Sequence, residues 1–551
     1  MSLNEQQLAV VNSTANRILC LAGAGAGKTH TMIGRLKHLV TNGVSPTNIL
    51  VLTFTNAAAT EMRSRYARDV SNENIPEFRT FHSFCYSLIC SDNVVRNKLG
   101  YTNIPSIVDE VTEKRIRTTI LSELSLKIPM AVIEKTKKPS PKEKDALNLY
   151  EKQFRKYLIR TSQITFDILC YDICKLFKES DQTVFPYKVK YKYIFVDEFQ
   201  DTDPKQWEFV NSFKSSDLFV TGDVSQSLYS FRGADSTIIK SLAKSPEWTT
   251  YKMDRNYRST KQICDFANKI SHRYADESTY LEMKSDRQGD KVKCISYGDE
   301  KDIVADICKK LPHINGTIAI LARTNREVYN ICQQLEEHDI GYTTNSTDKH
   351  IGYILSSVAD NGFYIDFLSS LLDTEHYLAY IKRSQLEKPE DPVKFILTNF
   401  STPYMKLVND KVENIRLYLT NGLKREDSPV KLCINIIKRF RLDYDGIPNC
   451  SCTLTSIINA AIEELNILTK DGNGVYVGTV HSVKGLEYDT VFVTGVGGKS
   501  FPIRDQEQNN IYYVACTRAK NKLFIYVDEI YDLTNTFGEI INKIGDYEYE
   551  D

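Results

Sequence analysis

The residues with the plainest chemistry are Ala22-Gly23-Ala24-Gly25-Ala26-Gly27-Lys28-Thr29. Such small residues let backbone N–H groups form a nest around phosphate oxygens, an approach that bulky side chains would block. Lys28 is then placed to neutralise the outer phosphates and Thr29 to ligate magnesium. The helix that follows aims its positive end at the anion. The first position holds alanine, where glycine is also common. A second signal is Ile194-Phe195-Val196-Asp197-Glu198, an apolar run ending in adjacent carboxylates. The C-terminal ends of parallel strands face the ligand crevice, so Asp197 can hold magnesium while Glu198 polarises a water against the terminal phosphate. Alone, an acid pair after a strand is usually a solvated loop. Beside a phosphate loop it points to hydrolysis of a nucleotide's terminal phosphate, with Mg2+, rather than transfer to a second substrate.

These groups need strands and helices to hold them. Arg17–Leu21, Asn48–Thr53, Tyr193–Val196, Asp217–Val220, Gly316–Leu321, Thr490–Val493 and Lys522–Val527 read as strands, and stretches through about Val40 and over Ala57–Asp69 read as helices. Continuous apolar strands alternating with helices predict an α/β fold with parallel sheets covered on both faces. Two stretches, about 92–162 and 345–470, break the rhythm, look wholly helical, and read as insertions because strands resume after each. The first contains a basic segment, Lys135 to Arg160, with nine Lys/Arg against three acids. It reads equally as a solvated helix face or as a contact for a DNA backbone.

The chain has 551 residues, with 70 Lys+Arg balancing 71 Asp+Glu. Charge alone therefore points away from a nucleic-acid partner. No apolar run is long enough to cross a bilayer, and the N-terminus lacks a basic region followed by an apolar stretch. A cytoplasmic location follows as the expectation, with nuclear or viral settings equally open. Thirteen scattered cysteines without a CxxC pair predict reduced, mostly buried thiols and no zinc or iron–sulfur site.

Further strings carry a family likeness. They are Thr53-Phe54-Thr55-Asn56, Thr80-Phe81-His82-Ser83-Phe84, Val196 through Thr202, Gly222-Asp223 with Gln226 through Ala234, Asn256-Tyr257-Arg258-Ser259, Ala322-Arg323-Thr324-Asn325, Thr479 through Glu487, and Tyr513 through Lys520. In this order the chain resembles the UvrD/Rep-type superfamily-one DNA helicases. The resemblance implies two RecA-like P-loop domains, 1–91 with 163–254 and 255–344 with 471–551, carrying helical insertions at 92–162 and 345–470. It implies an ATP-dependent helicase or translocase moving 3′ to 5′ on single-stranded DNA and unwinding duplexes in replication, repair or recombination, with ATP in the cleft between the domains. Lys28, Asp197, Glu198, Gln226, Arg258 and Arg518 take catalytic roles, the two arginines as fingers on the transition state. Thr29 and Asp197 hold magnesium. Residues 22–29 cradle phosphate, Tyr257 stacks on the base and Glu487 meets the ribose. Gln6 resembles the adenine-reading glutamine, with Gln7 open as an alternative because the stretch is one residue short of the usual spacing.

For DNA, the resemblance assigns Phe54, His82, Tyr229, Phe231 and Arg323 to the single-strand path, and Thr55, Asn56 and Lys484 to phosphate contact or to coupling with ATP. Flat side chains suit this work because every base offers a π-face. Departures include Ala57 for a usual lysine, Val224-Ser225 for a more acidic pair, His30 for an arginine, Phe231 for a tryptophan, and Gln508 through Ile511 without the charges often found. The second insertion is shorter than usual, leaving duplex recognition and contacts with repair or replication proteins open, and no fused nuclease domain is expected after Lys520. Two other functions compete: a motor subunit of a larger repair assembly that unwinds weakly alone, and a DNA-binding scaffold switched by ATP. A small-molecule kinase would leave the DNA-path strings unexplained. Local grooves can bind DNA on a chain of near-zero net charge, so that first inference from charge is withdrawn. Weak retention on single-stranded DNA at high salt is expected, checked by a salt titration of affinity; salt-insensitive binding would count against it.

Overall fold

The computed structural model describes residues 3–68, 75–108, 110–126, 128–133, 139–179, 181–298, 300–338, 340–344, 474–498, 501–502, 504–528 and 547–550. The insertion expected at 345–470 lies outside them. The chain divides into two compact units, Met1–Arg258 with Ser271–Asp286, and Ser259–Ile270 with Arg287–Asp551.

The first unit is built on a six-stranded parallel sheet: β1 (Arg17–Ala22), β2 (Ile49–Thr53), β3 (Glu77–Thr80), β6 (Tyr193–Val196), β7 (Asp217–Gly222) and β8 (Thr249–Met253), in the order β3-β2-β6-β7-β1-β8. Alternate residues of its central strands enter two cores. Leu19, Leu21, Leu50 and Leu52 pack on one face with Phe84, Ile173 and Phe209, and Ile18, Cys20, Ile49 and Val51 pack on the other with Met32, Leu36 and Tyr66. Burial on both faces is why these strands read as unbroken apolar runs. The edge strands β3 and β8 are only partly buried, so Glu77-Phe78-Arg79-Thr80 and Thr249 through Met253 gave no such signal.

The insertion after β3 is mostly helical, including Glu110–Glu123 and Pro141–Arg160, with its own apolar core around Ile116, Ile120, Tyr150, Phe154 and Leu158. It also holds one feature unforeseen from sequence, a short parallel pair of β4 (Ser106–Ile107) with β5 (Gln163–Ile164). Two residues per strand are too few for a periodic pattern to register.

The second unit has a parallel sheet in the order β11-β10-β12-β13-β9-β14: β9 (Val292–Tyr297), β10 (Ile318–Ala322), β11 (Val475–Thr479), β12 (Tyr488–Val496), β13 (Ala519–Asp528) and β14 (Tyr547–Glu550). All ten described cysteines are free thiols. Among the described residues, no helix is long and apolar enough to cross a membrane.

One buried charge fixes the start of the chain. Arg35, on helix α2 (Lys28–Thr41), is 4% exposed, and its Nη1 donates to the carbonyls of Val10, Val11 and Ser13 at 3.0, 3.1 and 2.9 Å. Val10 and Val11 end helix α1 (Glu5–Val11) and Ser13 follows it; the Val10 carbonyl also accepts from the Ser13 N–H at 3.4 Å. Burial lowers the affinity of the Arg35 guanidinium for its proton. Arg35→Met should therefore cost about 2–4 kcal/mol, by removing the buried donor that the three carbonyls share. A lowered urea midpoint for the first unit checks it.

Candidate functional site

Every strand of the first sheet delivers a singled-out residue at its C-terminal end. β1 leads into the phosphate loop, β2 into Phe54, β3 into His82, β6 into Asp197 and Glu198, β7 into Asp223 and Gln226, and β8 into Asp254 through Arg258. Parallel pairing puts these ends on one edge of the sheet.

The phosphate loop turns through left-handed backbone at Gly25 (φ 69°) and Gly27 (φ 81°), which favours glycine. Space forbids a side chain as well. A Cβ on Gly25 would lie 2.8 Å from both Arg258 Cβ and Asn256 Oδ1, and one on Gly27 would lie 2.8 Å from Gln7 Nε2. Asn256 Nδ2 donates to the Ala24 carbonyl at 2.8 Å, and the Tyr257 N–H to that of Gly25 at 3.0 Å. Lys28 folds back so that Nζ donates to the Ala22 carbonyl at 3.4 Å. Gly27 caps α2 without a side-chain bond, which leaves the helix N-terminus to an anion.

Of the two glutamines, Gln7 lies on the loop. It is 3% exposed, donates from Nε2 to the Ala26 carbonyl at 3.1 Å, and closes a capping box with Asn4. Gln6 instead donates to Asp254 Oδ1 at 2.8 Å, and its own carbonyl oxygen is buried without a hydrogen-bond partner. Tyr257 is 38% exposed, and its hydroxyl accepts from Asn4 Nδ2 at 2.6 Å, so the ring stands by α1 with a face open.

Asp197 is buried at the end of β6. Glu198 follows with φ 48°, one of only three non-glycine residues at positive φ among the described residues. That conformation costs a residue with a Cβ of order 1 kcal/mol or more and is met chiefly where function requires it. A buried chain of hydrogen bonds begins at Glu198. Gln200 Nε2 donates to Glu198 Oε2 at 2.5 Å, the Asp223 N–H donates to Gln200 Oε1 at 3.0 Å, and Gln226 Nε2 donates to Asp223 Oδ2 at 2.7 Å. Burial raises the Asp223 pKa, and the charge of Lys28 opposes it. Gln200 is fully buried, and a Cβ on Gly222 would come within 2.6 Å of its Oε1. Sequence reasoning passed over Gln200; its place two residues after the carboxylate, within the matched string, was the available signal.

The Thr29 hydroxyl and the Asp197 carboxylate are oxygen groups that would suit a magnesium ion beside phosphate. Magnesium keeps several waters and takes one or two protein oxygens beside phosphate, and no cluster of three metal-ligating side chains occurs among the described residues.

The aromatic residues lie beside this network. Phe54 and Tyr229 stack at 4.7 Å between centroids, and Phe231 tilts against Tyr229 at 6.1 Å while remaining 63% exposed. The Thr55 hydroxyl caps helix α3 (Asn56–Ala67) by accepting from the Ala58 N–H, and Asn56 accepts from the Thr80 hydroxyl at 3.4 Å. His82 meets Phe166 edge-to-face at 4.9 Å. Phe166 is 45% exposed, and with no string around it nothing in the sequence singled it out.

The remaining residues belong to the second unit. Arg323 follows β10, with Nε donating to Gln508 Oε1 at 3.0 Å, and Lys484 follows the turn Val480–Val483 after β11. Glu487 and Arg518 sit instead at the N-terminal ends of the paired strands β12 and β13. Arg518 is 2% exposed and donates to the carbonyls of Val514 and Leu486, and Glu487 lies 3.6 Å from Lys520. Gln200→Ala, by removing both hydrogen bonds that its side chain makes at the middle of the chain, should lower DNA-stimulated turnover by about ten- to a hundredfold, at roughly 1 kcal/mol per bond. ATP affinity should be unchanged, a split that steady-state kinetics read.

The family model for the UvrD/REP helicase N-terminal domain matches residues 3–247, and that for the UvrD-like helicase C-terminal domain matches 251–350 and 406–529. Similar proteins include the ATP-dependent DNA helicase PcrA of Staphylococcus epidermidis, 27% identical over 95% of this chain and 83% of that protein. PcrA of Leuconostoc citreum is 24% identical over 98% of this chain and 82% of its own, and PcrA of Staphylococcus aureus is 27% identical over 95% and 83%. With both domain models matched in order and the glycine-bounded phosphate loop in place, this chain belongs to the UvrD/REP helicase family.

Proposed function

We propose that this helicase hydrolyses ATP on the phosphate loop and uses the cycle to move 3′ to 5′ along single-stranded DNA, separating tailed or forked duplexes ahead of it. One observation carries the reading. The phosphate loop, the Asp197-Glu198 pair and the Phe54–Tyr229–Phe231 row share one sheet edge, and the hydrogen bonds from Glu198 through Gln200 and Asp223 reach Gln226. Gln226 lies three residues before Tyr229, so a change at the terminal phosphate is felt next to the stacking rings.

Within the reaction, Glu198 orients and deprotonates the attacking water. Lys28 and the N–H groups of residues 24, 25, 27 and 28 bind the phosphates, those of Gly23 and Ala26 being donated to the carbonyls of Met253 and Gly23, and Arg258 and Arg518 stabilise charge on the transferring group. Thr29 and Asp197 would hold magnesium, which would neutralise charge on the phosphate oxygens. Gln7, rather than Gln6, is the better reader of adenine, because it is already tied to the loop, while Gln6 is engaged by Asp254. Tyr257 offers its open face to the base and Glu487 an acceptor to the ribose. Arg323 and Lys484 meet the DNA backbone or bases from the second unit, and Phe166 extends the aromatic row beside His82.

ATPase activity stimulated by single-stranded DNA should fall by about two to four orders of magnitude in Lys28→Ala and in Glu198→Gln. Strand displacement from 3′-tailed, 5′-tailed and forked duplexes tests direction. Action from a 5′ tail alone would refute the proposed polarity, and robust turnover by either variant would refute the catalytic roles.

A further inference from the structure

Helix α4 (Phe81–Ser91) enters the insertion at 92–162, and the helix Phe166–Lys178 leaves it. The two pack together, and their shared face carries four groups with chemistry of their own. His82 and Cys85 lie one turn apart on α4. Phe166, Cys170 and Cys174 recur every four residues on the other helix, hence on one face. His82 touches Phe166, while Cys85 and Cys174 are in the core and Cys170 is half-buried against it. Cys85 and Cys170 each lie one turn beyond the His82–Phe166 contact on these two packed helices, against one shared core.

From this cluster we infer that Cys170 and Cys85 form a reversible disulfide when the protein meets a peroxide, tying the helices on either side of the insertion and slowing DNA-stimulated ATP hydrolysis. Cys170 is the attacking group, being the more exposed of the two. Cys85 and the neighbouring His82 lower the pKa of its thiol, and Cys170, Asp167 and Asp203 in turn raise that of the His82 imidazole against the effect of burial. Thiolate is the reactive form of cysteine, and such a setting is where thiolates are made. The Cys170 sulfur attacks one peroxide oxygen, the O–O bond breaks, and one water leaves with a proton taken from solvent, giving a sulfenic acid. The Cys85 thiol then attacks that sulfur, loses its proton, and the S–O bond breaks with release of a second water. Two thiols are oxidised, and one peroxide is reduced to two waters.

The bond would join residues 85 and 170, enclosing the 92–162 insertion in a covalent loop, and would fix the helix that carries His82. In a reducing compartment such a disulfide is transient and regulatory rather than structural. Its effect on turnover rests on the proposed place of His82 beside the DNA path.

The test treats the full chain with hydrogen peroxide, blocks the remaining thiols and maps its peptides by mass spectrometry, with ATPase assayed in parallel with and without single-stranded DNA. A linked Cys85–Cys170 peptide, removed by dithiothreitol, is expected, with DNA-stimulated turnover several-fold lower before reduction and restored after it. Cys170→Ser should keep its activity through the same treatment. Cys85→Ser should accumulate a sulfenic acid at Cys170 that a dimedone probe labels. Absence of the linked peptide, or Cys170 reacting no faster than the buried Cys264 and Cys516, would overturn the site. A linked peptide with unchanged DNA-stimulated turnover would overturn the control of activity. Mapping needs no catalysis, so failure of the helicase reading would show separately, as no DNA stimulation in the reduced protein.

Discussion

The first unit depends on keeping a stretch of bare backbone open and rigid at once. On the proposed reading phosphate oxygens need the N–H groups of the loop before Lys28, which requires that no bulky side chain stand in front of them. A loop whose side chains before Lys28 are only methyl groups has little of its own to pack beyond Ala26, which joins the core. The solution lies in what presses on it. Asn256 and the Cβ of Arg258 occupy the space beside Gly25, and Gln7 occupies the space beside Gly27. Those clamps come from the two ends of the unit's main segment, α1 and the chain after β8, so the loop has its shape only when the whole sheet is assembled. Arg35 extends the dependence, since it holds the end of the helix that carries Gln7.

From that loop outward, the sheet does the positioning. Neighbouring parallel strands lie about 4.8 Å apart, so groups at the ends of β1, β7, β6 and β2 succeed one another across one edge. The path from nucleotide carboxylate to stacking rings is then short and continuous: Glu198, Gln200, Asp223, Gln226. A buried amide such as Gln200 that both donates and accepts links its neighbours geometrically, because moving one partner leaves a buried polar group unsatisfied. The second unit divides its tasks differently. Arg323 and the turn before Lys484 are at C-terminal ends of strands, while Glu487 and Arg518 are at N-terminal ends.

Legibility in the sequence followed burial and bond count. Central strands such as β1, β2 and β10, covered on both faces, were visible as apolar runs. Edge strands β3 and β8 were not, because half-exposed positions accept Glu77, Arg79 and Lys252 without penalty. The phosphate loop was legible because its chemistry restricts residue type at several adjacent positions. Gln6 and Gln7 were harder: two identical side chains differ only in direction, and it takes the capping bond of Gln7 to Asn4 and the bond of Gln6 to Asp254 to tell them apart. Gln200 was hidden for a related reason, since its role is defined by partners at 198 and 223 rather than by its type. The proposed Cys85–Cys170 bond joins residues on either side of an insertion, and no local pattern announces such a pair.

The stacked pair of Phe54 and Tyr229 also bears on how a motor lets go. Rings 4.7 Å apart and nearly parallel leave no slot for a base between them, so DNA must take an outer face or part the pair. Parting them forfeits an aromatic contact worth about 0.5–1.5 kcal/mol, set against the roughly 1–3 kcal/mol that a stacked base returns. The net gain per base is of order 1 kcal/mol, a few-fold in occupancy. Stacking of that size holds a strand when several bases engage together, yet releases one base at modest cost. A near-neutral chain favours the same economy, because a large uniform phosphate attraction would oppose every step alike. Weak, shared contacts are thus what a translocating protein needs, and under the proposed function the self-stacked aromatic pair would supply them without any specific reading of sequence.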